Sequence, residues 1–76
     1  MDKIEKMRKM RLIQKFMFDY VIAIDEIYGI IDTQQELSKV VHELMKDAIK
    51  SDRQINKLYR SAKRHLSFKA YQEALV

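Results

Sequence analysis

Leu12–Ile31 reads LIQKFMFDYVIAIDEIYGII, and the fold turns on how these residues are arranged. Met10, Ile13, Met17, Tyr20, Ile24, Ile27 and Ile31 recur at alternating steps of three and four, the a/d pattern of a helix seam. Leu12, Phe16, Phe18, Val21, Ile22 and Ile30 are apolar as well but sit off that seam. One partner helix cannot cover so broad a surface, so this helix is expected at the centre, with neighbours on more than one side. Asp19, Asp25 and Glu26 interrupt the stretch, which argues against a membrane span.

Around this element stands a chain of 76 residues, the size of one domain. It has no cysteine, no proline and a single glycine, Gly29. Hairpins and sandwiches need turn residues at many places, so the composition points to an all-α protein. Without cysteine there is neither a disulfide nor a thiolate metal site. Small chains lacking such staples often self-associate, and the apolar breadth of the first helix makes a homodimer one expected outcome. The N-terminal residues show no secretory pattern, and a cytoplasmic location is expected.

Working outward, Asp2 and Glu5 form a capping box for the first helix. Lys3 and Lys6 would occupy its seam, so residues 1–9 are expected to fray or to project beyond the bundle. Gly29 suits the left-handed end of that helix. Thr33 and Glu36 make a second capping box. Leu37, Val40, Val41, Leu44, Met45 and Ala48 then line one face of helix two. Ser51 and Gln54 cap a third helix, with Ile55, Leu58, Tyr59, Ala62 and Leu66 on its apolar face. The connection is short, so helices two and three are expected to be antiparallel neighbours. Phe68, Tyr71 and Leu75 leave the earlier apolar stripe, and Ser67 reads as the cap of a short fourth helix. A single bent helix running from 52 to 76 is the alternative. The expected fold is one domain over 1–76: a small four-helix, mostly antiparallel bundle organised on a long N-terminal helix.

Catalytic signals are weak. His42-Glu43 begins like a zinc-protease HExxH motif, but Lys46 stands where the second histidine is needed. His42 reads as a solvated side chain. His65, with Lys63 and Arg64, reads as a partner for the negative end of helix three. The acids of the first helix lack a Glu-x-x-His ligand pattern and read as solvated or paired with Lys and Arg. No enzyme activity, cofactor, metal or small-molecule substrate is expected.

Charge is more informative. Residues 1–15 carry six Lys/Arg against two acids, residues 16–49 two against seven, and residues 50–69 seven against one. Within the last block, Lys50, Arg53, Lys57, Arg60 and Arg64 fall at steps of three and four, opposite the apolar face. An ordinary solvated helix face explains such a ridge, and so does a contact surface for an acidic partner or for phosphate. Nucleic-acid binding by the ridge would be dominated by backbone contacts and sensitive to salt. Phe18 and Ile22 are the candidate apolar contact residues, because they lie off the seam.

Ile55 to Val76, INKLYRSAKRHLSFKAYQEALV, resembles the last two helices of bacteriocin immunity proteins of the enterocin/pediocin type. Asn56, Leu58, Tyr59 and Ala62 carry the resemblance, followed by Leu66, Phe68, Tyr71-Gln72-Glu73, Leu75 and Val76. It implies a small, basic, cytosolic four-helix bundle that protects its producer by acting on a membrane receptor complex. The expected function is a non-enzymatic small regulator or inhibitor that binds another protein, immunity-like in character. The alternative is a nucleic-acid-binding regulator that uses the basic ridge.

Overall fold

The computed structural model describes residues 1–75; Val76, the last residue of the segment that resembles immunity proteins, lies outside them. The described residues form three helices and no strand: α1 Lys3–Tyr28, α2 Gln34–Ala48 and α3 Asp52–Ala74. No described helix is long and apolar enough to cross a membrane.

The helix ends follow local chemistry. Asp2 caps α1, its Oδ1 accepting from the Glu5 N–H at 2.9 Å. The helix is therefore formed from Lys3 onward, and residues 3–9 continue it. Gly29 ends α1 at φ 62°, and its N–H donates to the Asp25 carbonyl at 2.7 Å. Thr33 caps α2 and Ser51 caps α3, each accepting from the N–H three residues on. Both reciprocal bonds are displaced by one residue. Glu36 Oε2 accepts from the Asp32 N–H at 3.0 Å and Gln54 Oε1 from the Lys50 N–H at 2.7 Å. Each longer side chain thus reaches past the cap and ties down the connection itself.

A fourth helix is absent among the described residues, because α3 runs unbroken through Ser67 to Ala74. Ser67 is followed by Ala70, not Glu or Gln, at the third helical position, so a capping box there would lack half its bonds. No glycine or proline interrupts the backbone ladder, and the helix simply propagates.

The core consists of Ile13, Met17 and Val21 of α1, Leu37 and Val41 of α2, and Ile55 and Ala62 of α3. As expected, α1 is central and packs on both other helices. However, α2 and α3 touch only marginally, so they are not packed neighbours. Each instead finds its apolar counter-surface on the broad α1. Asp52 lies by Lys6, Asn56 by Lys9, and His65 and Lys69 by Asp19, so α1 and α3 run in the same direction. The result is a flat molecule of 37 × 32 × 16 Å.

The α1 seam is also rotated from the heptad phase. Val21 is buried, whereas Tyr20 and Ile27 are 53% and 76% exposed. An unsupercoiled helix keeps 3.6 residues per turn, so the buried line runs 13, 17, 21 in steps of four and drifts off a strict 3.5 repeat.

Candidate functional site

The surface most able to recognise a partner lies on α3. Arg53, Lys57, Arg60 and Arg64 are exposed on the helix, and Lys50 is exposed in the connection just before it. Among the described residues, no carboxylate stands within 4.0 Å of any of these five cations. Their charge is not spent inside the fold.

Because α3 is continuous, this ridge does not stop at Arg64. With about 100° per residue, Arg53, Lys57, Arg60, Arg64, Phe68, Tyr71 and Leu75 fall within an arc of about 80°. Phe68, Tyr71 and Leu75 are 59%, 62% and 69% exposed. One face of one helix therefore presents four cations and then three large apolar side chains. Sequence reasoning missed the apolar half by placing a helix boundary at Ser67. The signal that reveals it is the step of three and four carried on past Arg64.

The last turns of α3 stand clear of the core. The final anchors to α1 are His65 and Lys69, both on Asp19. His65 thus does not serve the end of α3, which lies further on at Ala74; its Nε2–H donates to Asp19 Oδ2 at 3.1 Å. Its ring also packs 5.3 Å from that of Phe16. Partial burial alone would raise the Asp19 carboxyl. The hydrogen bonds from His65 and Lys69, with the Lys69 charge, outweigh that and hold it below its ordinary value. Every residue from Ser67 to Leu75 is exposed.

The other expected contact residues separate. Phe18 is half-buried and packs against the core, whereas Ile22 is 42% exposed. Ile22 lines a shallow cleft with Ala23, Glu26 and the Asp19–His65–Lys69 cluster. His42 is exposed, its Nδ1–H donating to the Ser38 carbonyl one turn back at 2.8 Å.

A second surface lies between α1 and α2, where an apolar groove of about 380 Å³ opens. Tyr20 and Ile24 form one wall, Val40 and Leu44 the other, and Ile30 and Ile31 the end. The α2 stripe is shared: Leu37 and Val41 enter the core, whereas Val40 and Leu44 line the groove. Asp25 and Glu36 stand at its edge, each already accepting a backbone N–H, from Ile31 and Asp32 respectively. Lys39 stands beside these two engaged carboxylates, the rest of the lining is mostly apolar, and the groove suits an apolar side-chain surface. Among the described residues, no group of three or more His, Cys, Asp or Glu is placed to hold a metal ion.

Comparison of the chain with protein-family models, curated proteins and solved structures finds no match.

Proposed function

We propose that this chain is a small non-enzymatic regulator or inhibitor that binds another protein through the exposed face of α3. The observation that carries the reading is the continuity of that face: cations that meet no carboxylate among the described residues lead into Phe68, Tyr71 and Leu75. Exposed aromatic and arginine side chains on one rigid helix are the usual anchors of a protein interface. The matching partner surface is an apolar groove bordered by acidic residues. Ile55–Val76 resembles the immunity proteins over this same segment, which supports a cytoplasmic, immunity-like role.

The test is site-specific photocrosslinking in cells, with a photoreactive residue at Arg60 or Tyr71 and at exposed His42 on α2 as the control. The same heterologous protein adduct at positions 60 and 71, absent at 42 and lost on Arg53→Glu with Arg64→Glu, supports the reading. No adduct at 60 and 71, or one indifferent to the charge reversal, rejects it. Protection of a susceptible bacterium from pediocin-type bacteriocins would specify the immunity role.

Nucleic acid is the second reading, favoured by the exposed cations of the ridge. Base recognition is poorly served, because the Gln54 amide oxygen accepts from Lys50 and that of Asn56 from Lys9. Neither amide offers the free bidentate edge that reads adenine. Fluorescence anisotropy with labelled duplex and single-stranded DNA and RNA over a salt series tests this. Tight binding that weakens steeply with salt supports it, and no binding at low salt rejects it.

A further inference from the structure

The α1–α2 groove and the end of α3 are complementary surfaces of one chain that cannot meet within it. Beside the last anchors of α3, Asp19, Ala23 and Glu26 form the flank of α1 nearest His65 and Lys69. The groove opens on another flank, beside Tyr20 and Ile24. Since α3 is an unbroken helix to Ala74, it cannot fold back across α1.

We infer that the groove is the docking site for a second copy of this chain, filled by Phe68, Tyr71 and Leu75 of that copy. The inference rests on the reading of the α3 face as a recognition surface, and it names a partner for it. Three observations single out this occupant.

The first is shape. Side chains at steps of three and four on a projecting helix suit a groove between two helices, the helix-in-groove mode of recognition. The second is charge. The charged side chains lining the groove are Asp25, Glu36 and Lys39, two carboxylates against one lysine, whereas α3 carries its cations just before the apolar anchors. Docking therefore sets opposite charges side by side as it buries the apolar groups.

The third is area. The chain exposes 6274 Å², against about 4,900 Å² expected for a compact monomer of 9.2 kDa. Its Cα radius of gyration is 13.5 Å, against about 11.4 Å for a compact domain of this length. The excess surface, about 1,400 Å² per copy, exceeds the roughly 800 Å² that each partner gives to a stable interface.

Sedimentation velocity over a concentration series tests the inference with three proteins. Wild type is expected to shift from the 9.2 kDa chain mass towards twice that mass, less readily at high salt. Phe68→Ser with Tyr71→Ser, at sites exposed in the monomer, is expected to weaken association at least tenfold. Val40→Ser with Leu44→Ser removes the groove wall, and circular dichroism verifies that it folds. An equimolar mixture of the two variants regains association, because each mixed pair retains one intact groove and one intact α3 end. A wild type that stays monomeric overturns the inference, as does an α3 variant that dimerises like wild type. Loss of crosslinks to any heterologous protein, with self-association intact, would overturn the proposed function alone.

Discussion

Asp19 and His65, 46 residues apart in sequence, meet at 3.1 Å and mark where α3 leaves the core. Behind this contact α3 is packed against α1; from Ser67 onward every described residue is exposed. The pair, with Lys69 at 3.2 Å, therefore holds the base of the projecting helix end.

This cluster makes stability depend on pH in a defined direction. The folded-state pKa of Asp19 lies below its unfolded value, so the unfolded chain binds more protons between the two. Its contribution is fully present above the ordinary carboxylate pKa of about 3.9 and is lost as pH falls through the lower folded value. Asp19→Asn is expected to lower stability at neutral pH by no more than about 1 kcal/mol, because His65 and Lys69 are solvated. It should also flatten the acid limb. Urea melts at neutral and acidic pH measure both; an unchanged acid limb would show that Asp19 is not the titrating group.

Gly29→Ala should destabilise by about 1 kcal/mol. A Cβ at this position meets nothing within 4 Å, so the cost is confined to the backbone at φ 62°. Asn, which tolerates the left-handed region better, should cost less than Ala. Thermal melts of the two variants rank them.

The phase of α1 is tested by a pair of isoleucines. Ile13→Ala removes a side chain with no exposed surface and should cost about 2–4 kcal/mol, enough to unfold much of a small domain. Ile27→Ala, at an equivalent seam position of the heptad, should change stability by less than about 0.5 kcal/mol. Equal losses would place Ile27 in a packed interface, as self-association through α1 could bring about, so the comparison belongs at low protein concentration.

Ser67→Ala separates one continuous helix from two. A helix cap lost to alanine costs about 1 kcal/mol, whereas alanine inside a helix is favoured over serine by a few tenths. Because Ser67 lies within α3, a small gain is expected in denaturant melts and in helical ellipticity. A clear loss would indicate a helix start at Ser67.

Much of the fold was legible because its signals are local. The caps at Asp2, Thr33 and Ser51, and the stop at Gly29, each depend on groups within a few residues of one another. The basic ridge was legible for the same reason, since its members sit on consecutive turns. Its apolar continuation was not, because Phe68, Tyr71 and Leu75 leave the buried stripe of α3 and a helix start at Ser67 separates them from the ridge opposite. A contact such as Asp19 to His65 has no sequence signature, because nothing local sets which turns of two separate helices come level.

By itself, then, the sequence determined the all-helical class, the helix starts, the end of α1 and the polar face of α3. Those features follow from backbone hydrogen bonds and charge spacing within a turn or two. Only the tertiary structure decided that Val21 faces inward while Tyr20 and Ile27 face out, and that α2 and α3 touch each other only marginally. It alone decided that the last turns of α3 project with their apolar side chains uncovered. These depend on how three amphipathic surfaces, each wider than one contact, divide a small core among them. Periodicity constrains that division without choosing it, because several rotations of a broadly apolar helix bury similar area.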